Sequence, residues 1–328
     1  MPVKCINFEL RHPAAFGRTG QEVYAAALDM IAWADEHGFA RVTFGEHHQS
    51  PDGYISNPLL VAAAVGGRTR TVRVRISALL APLYHPLRLA EEAAVADLCL
   101  GGRLDLGMAV GYVEDDFDAF GADYRSRGRF LEELVPFLRR AWTGEPVEWQ
   151  GKTVRVTPRP AQDPMPIYLG GSVRASIDRA ARLADGYFPP MPQFWKYYRR
   201  ACARHGRPDP GELAPRGPIF LWVTTERKEA VWERLAPHIR HQINSYGEWT
   251  ASAYTDPFGP FVPTRDIAQL SQGGAYAVVD PDEAIALATG LGADGELHLN
   301  PMLSGIAPDE AWRMLRTVEE RVLPHLPH

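Results

Sequence analysis

The sequence predicts an α/β protein, a (β/α)8 TIM barrel, and three observations carry that prediction. Strand-like and helix-like segments alternate along 328 residues, and strict alternation means parallel strands joined by crossover helices. Eight strand segments can be counted, which in a chain of this length favours a closed barrel over an open doubly wound sheet. No G-x-G-x-x-G opens a helix after the first strand, and no P-loop is present, so a dinucleotide-binding fold is the weaker alternative. The expectation is a single domain spanning 1–328, with a long insertion near 244–274 and a small hairpin near 145–157.

The elements follow in order. "VKCINFEL" reads as a strand, and "TGQEVYAAALDMIAWADEHG" as a helix. Thr19 and Glu22 have capping-box spacing there, Val23, Ala26, Ala27, Met30, Ile31 and Ala34 form one apolar stripe, and Gly38 sits where a helix terminates. "FARVTFG" is the second strand and "NPLLVAAAVGGRT" a helix. "VRVRISALL" and "RLDLGMAVG" are strands, each followed by a helix, "PLRLAEEAAVADLCLGG" and "RSRGRFLEELVPFLRRAW". "EPVEWQGKTVRV" is the hairpin. "MPIYLGG", "DGYFPP", "GPIFLWVTT" and "GELHLN" complete the strands, separated by "SVRASIDRAARLA", "FWKYYRRACARHG" and "KEAVWERLAPHIRHQI", with "PDEAWRMLRTVEERVL" as the last helix. The stretch 244–274 resists the pattern. Its aromatics, Tyr246, Trp249, Tyr254, Phe258 and Phe261, suggest a lid over something apolar.

Composition excludes several classes. A formal net charge of −5 with scattered basic residues argues against a nucleic-acid partner. The excess of arginine over the four lysines, Lys4, Lys152, Lys196 and Lys228, reads as the coding bias of a GC-rich genome. Cys5, Cys99 and Cys202 are far apart and form no C-x-x-C pair, as expected of a cytoplasmic protein. No leader-like segment opens the chain, and no apolar run approaches the roughly 20 residues that span a bilayer.

In a barrel, chemistry gathers at the C-terminal ends of the strands. "FGEHHQS" places Glu46, His47 and His48 at the end of the second strand. One reading is a metal site. Neighbouring residues on an extended chain point to opposite faces, however, so the two imidazoles are poorly placed to grip one ion. "HIRH" offers His238 and His241 on a helix with nothing nearby to complete a ligand set. The expectation is therefore no metal. The other reading gives His47 an acid/base or hydrogen-bonding role facing a pocket, against the structural alternative of a packed histidine. "YLGGSVRAS" puts Gly170, Gly171 and Ser172 before a helix that also carries Arg174 and Ser176. It is either a phosphate clamp at a helix N-terminus or a tight turn with an N-cap serine. "SALL" contains Ser77 and Ala78, small enough to let a flat ring lie against the backbone, and is otherwise a buried strand end.

With these motifs in place, the chain resembles the bacterial luciferase-like family of flavin-dependent monooxygenases. The likeness to the luciferase alpha subunit runs from "NFEL" through "RGRFLEELVPFLRRAW", including "EHH" followed by "NP", "PLYHP", "GGRLDLGMAVG" and "DDFDAFG". It resumes at "PIYLGGSVRAS", "RLADGYFP" and "DPDEAIALATGLGADGELHL". The resemblance implies a barrel that binds reduced FMN supplied by a separate flavin reductase. A C4a-hydroperoxide formed with oxygen would then oxidise a small organic substrate of apolar character. His47 matches the catalytic histidine, and Glu46 falls within the cofactor site. Ser77 and Ala78 match a pair joined by a non-prolyl cis peptide that supports the ring. Tyr112 and Val113 match ring-contacting positions, and Ser172, Val173 and Ser176, following Gly170 and Gly171, match the phosphate turn. The chain departs from the family pattern at Val110, which replaces a phosphate-binding arginine, and at Ala109, which replaces a reactive cysteine. Weaker flavin binding and a substrate other than a long-chain aldehyde follow from those departures. A homodimer is expected by the same analogy. The alternatives are a deazaflavin-dependent hydride-transfer oxidoreductase on the same fold and a flavin-binding relative without turnover. More distant is an isomerase or aldolase, for which no strand-end lysine is present.

Overall fold

The computed structural model describes residues 2–253 and 274–326. The chain begins with β1 (Val3–Phe8), α1 (Gly20–Glu36), β2 (Arg41–Phe44), α2 (Pro58–Gly66) and β3 (Arg73–Leu80). It continues through α3 (Pro86–Cys99), β4 (Leu104–Ala109), α4 (Glu114–Phe120), α5 (Arg127–Ala141), β5 (Val147–Trp149) and β6 (Lys152–Val154). Next come β7 (Ile167–Gly170), α6 (Arg174–Leu183), β8 (Gly186–Phe188), α7 (Trp195–Arg204), β9 (Phe220–Val223) and α8 (Lys228–Ala253). The described chain closes with β10 (Tyr276–Val279), α9 (Pro281–Leu291), β11 (Glu296–Leu299) and α10 (Pro308–Arg321). This is an α/β fold of parallel strands with helical crossovers. Two units divide it, one of residues 1–43, 49–55 and 214–328, the other of residues 44–48 and 56–213.

In the second unit β3, β4, β7 and β8 are successive parallel neighbours. Val74, Ile76, Leu104, Leu106, Met108, Ile167 and Leu169 are fully or almost fully buried. Side-chain alternation puts them all on one face, the face that buries them with Leu89, Leu134, Leu138 and Ile177 of the helices. The opposite face carries Arg75, Asp105 and Tyr168, joined by an Arg75–Asp105 ion pair at 3.1 Å and by Arg75 over the Tyr168 ring at 4.4 Å. Further along that face lie Gly107, Gly170 and Phe188. The predicted hairpin is present as β5 and β6, antiparallel from Val147↔Val154, with Trp149 against Phe137.

In the first unit β1 pairs with β11 in parallel, and β9 with β10. The capping box at Thr19 and Glu22 forms as the spacing predicts. At the end of β1, Arg11 is completely buried, bonds Asp52 at 2.6 Å and lies 4.8–5.2 Å from the rings of Tyr54, Tyr246 and Trp249.

Two expectations need correction. The stretch 244–274 does not begin as a loop. α8 runs to Ala253, because the buried stripe of Val231, Leu235, Ile239 and Ile243 continues at helical spacing through Gly247. Tyr246 and Trp249 are therefore helical, and Tyr254, Phe258 and Phe261 lie outside the described residues. "YAVV" is also a strand, β10, which the count of eight left out. It takes the edge of β9, while Arg216↔Glu296 is a single bridge toward β11. Among the described residues no helix is long and apolar enough to cross a membrane. Cys5 and Cys202 are buried and Cys99 is exposed.

Candidate functional site

The catalytic and cofactor-binding residues that the resemblance implies all fall within the second unit, 44–48 and 56–213. Glu46 lies two residues beyond the end of β2 and is 2% exposed. One of its oxygens accepts the Leu80 backbone N–H at 2.6 Å. The other accepts the Tyr84 hydroxyl at 2.7 Å and lies 3.0 Å from His48 Nε2. A buried carboxylate needs such donors, and here three segments supply them. Burial, then the Glu46 charge, pushes the Tyr84 hydroxyl far above the ordinary tyrosine range, so it remains a donor. The Glu46 side chain is thus spent on holding the end of β3 beside "EHH".

That tie settles the division between the two histidines. His48 serves Glu46 and packs its ring on Phe120 at 4.5 Å. His47, 7% exposed, points elsewhere, with Nε2 3.4 Å from the Tyr112 hydroxyl and the two rings 5.8 Å apart, edge to face. Tyr112 and Val113 lead into α4, with Val113 at its N-cap position. The Ser77–Ala78 peptide is cis, and the β3–β4 register shifts between Ile76 and Leu79. "HIRH" is divided in the same way. His238 Nδ1 faces the Ser304 carbonyl at 2.9 Å, and His241 Nε2 lies 2.7 Å from Asp52.

Beside Ser77, the space over Gly107 and Gly170 is filled by the β3 backbone and the Phe188 ring. A Cβ on Gly107 would stand 2.1 Å from the Ile76 carbonyl oxygen, and one on Gly170 would stand 2.3 Å from Phe188. Gly171 then adopts φ 135°, with the Ser176 side chain within 2.8 Å of where its Cβ would be. α6 starts at Arg174 with Val173, not Ser172, at the N-cap position, and the apolar Val173 side chain cannot cap its first amides. Val173 is 52% exposed and Ser176 is buried. Ser172 therefore stands one residue before the N-cap position, and a helix start whose N-cap side chain is apolar suits an anion.

Sequence reading missed Arg127. It opens α5, where a cation opposes the helix dipole, and that misplacement was the available signal. Its Nη1 donates to the Tyr124 carbonyl at 2.6 Å and its guanidinium lies 3.6 Å from the centre of the Tyr124 ring, yet Nε is buried without a hydrogen-bond partner. Arg179, one turn after Ser176, approaches to 2.8 Å from where a Cβ of the adjacent Gly128 would sit, so the start of α5 packs on α6. A flavin phosphate suits the chemistry at the start of α6, where the N-cap residue is apolar and Ser172 and buried Ser176 flank it.

Comparison with known proteins gives the family. The oxygenase component of a flavin-dependent trigonelline monooxygenase from Acinetobacter baylyi is 32% identical over 155 residues, 45% of this chain and 43% of the relative. An F420-dependent glucose-6-phosphate dehydrogenase from Nakamurella multipartita is 34% identical over 170 residues, 48% of this chain and 50% of the relative. The matches thus span about half the length of these curated relatives. The solved structure of monooxygenase RslO1 from Streptomyces bottropensis superposes with a TM-score of 0.78 at 26% identity, covering 99% of each chain. The sequence satisfies the description of the luciferase-like monooxygenases over residues 5–286, and this chain belongs to that family.

Proposed function

We propose that the protein is a reduced-FMN-dependent, two-component monooxygenase that oxidises an apolar organic substrate, on a single (β/α)8-barrel domain spanning 1–328. The observation that supports this reading is the tie from Glu46, the neighbour of His47, to Leu80 at the end of the strand that carries Ser77 and Ala78. Bound reduced flavin would supply the electrons that activate dioxygen. Ser77, Ala78, Tyr112 and Val113 would flank its ring, and Gly170, Gly171, Ser172, Val173 and Ser176, with Arg127, would hold its phosphate. Glu46 acts on the cofactor through the strand it holds. His47 would hold or move a proton at the face of the ring, with the Tyr112 hydroxyl fixing its orientation, since an imidazole titrates near neutral pH. Water kept from the ring limits wasteful release of peroxide. The naming of the Acinetobacter relative as an oxygenase component supports a separate reductase as partner, and a cytoplasmic homodimer is the expected form.

The test is oxygen consumption and substrate oxidation with enzymatically reduced FMN. His47→Ala should lower substrate oxidation by about 100-fold, the scale of a lost acid/base group, while reduced-FMN affinity in an anaerobic titration stays within about twofold. Unchanged oxidation would remove His47 from the chemistry and favour a flavin-binding relative without turnover. The likeness to an F420-dependent dehydrogenase supports a second reading, hydride transfer with a deazaflavin. Turnover with reduced deazaflavin alone would establish it over the first.

A further inference from the structure

We propose that Tyr187 is a positioning residue for the β7–α6 turn, holding the Gly171–Ser172 peptide in the orientation that receives the cofactor's phosphate. This rests on the reading of that turn as the phosphate site. Tyr187 lies on β8, buried, and its hydroxyl donates to the Gly171 carbonyl at 2.5 Å. Burial pushes the hydroxyl's ionisation well above the ordinary tyrosine range, so it is a donor throughout the working pH range. The Gly171–Ser172 peptide is trans, and in a trans peptide the carbonyl and the following N–H point opposite ways. Anchoring the carbonyl on Tyr187 therefore turns the Ser172 N–H toward the other side of the turn. Ser176 occupies the space beside the Gly171 Cα, with its Cβ 2.6 Å and its Oγ 2.8 Å from where a Cβ would be. Tyr187 and Ser176 thus both hold the turn at Gly171.

The grip is itself fixed. The Tyr187 ring packs on Tyr198, with centroids 5.0 Å apart, and stacks with Trp195 at 6.3 Å, both on α7. Because the N-cap residue of α6 is the apolar Val173, the orientation of the peptide just before it bears on how the helix start presents its amides. Taking away the phenolic oxygen would leave the ring packing in place and free only the peptide.

Anaerobic titration with reduced FMN and with reduced riboflavin, which has no phosphate, tests the assignment. Wild type should bind FMN more tightly than riboflavin. Tyr187→Phe should lose about five- to tenfold in FMN affinity, the scale of one hydrogen bond, with riboflavin affinity unchanged. Gly171→Ala, which crowds Ser176 from the opposite side, should lower the same FMN-to-riboflavin ratio and serves if the phenylalanine variant does not fold. Equal losses for the two flavins, or no loss, overturn the role of Tyr187 while leaving the flavin reading in place. A wild type that does not distinguish the two flavins overturns the phosphate site itself.

Discussion

Gly170 shows how little room single positions have. An added methyl would meet Phe188 at 2.3 Å, and overpacking of this kind costs about 1–3 kcal/mol. Gly170→Ala should therefore lower the unfolding free energy read from urea denaturation by that amount, with a lower midpoint, and Phe188→Leu in the same chain should recover part of it. An unchanged midpoint would mean that Phe188 swings aside freely. At this scale the sequence was partly legible. Residue type and spacing pointed to His47, Ser77 and Ala78 because their distinction is local: two imidazoles behind a strand, two small residues at another strand end. Glu46 was legible as part of the site but not as a carboxylate holding Leu80 and Tyr84, because those donors lie 34 and 38 residues away. Tyr187 was silent for the same reason, since nothing near it in the chain announces a bond to Gly171.

Among the elements, those framed by their own end signals were readable. Thr19 bonds the Glu22 N–H, and the Glu22 carboxylate returns to the Thr19 N–H, so α1 begins where the capping-box spacing puts it. Thr19→Ala should cost about 1 kcal/mol, a usual value for a lost cap, read from chemical denaturation; no loss would mean that the helix start is held by packing alone. α8 misled because Asn244 and Ser245 look like loop residues, while buried Ile239, Gln242 and Ile243 carry the helix on through them. β10 was overlooked because four residues of apolar sequence become a strand only when β9 offers an edge.

For the molecule as a whole, acid should be the revealing stress. Burial alone would raise the Asp52 carboxyl, but the His241 hydrogen bond, the Arg11 charge and Ser50 outweigh it and hold it well below the usual range. Glu296 is held down in the same way against burial, by His298, Arg216 and Arg41. Both folded values lie below the unfolded one, so the stabilisation is complete above about pH 4, the unfolded carboxyl range, and is lost as pH falls through the folded values. The thermal midpoint should fall steeply from pH 4 to pH 3. Asp52→Asn should cost about 1.5–3 kcal/mol at pH 7, the scale of a hydrogen bond to a charged group, because it leaves the buried Arg11 with Glu9 at 3.4 Å as its remaining ion-pair partner, and should flatten that acid slope. A midpoint level from pH 5 to pH 3 would exclude these pairs as major contributors. The exposed Cys99, against buried Cys5 and Cys202, has a practical corollary. A maleimide dye should attach at one position per chain without any engineering, giving a fluorescent reporter on α3 for following the folded protein through each of these titrations.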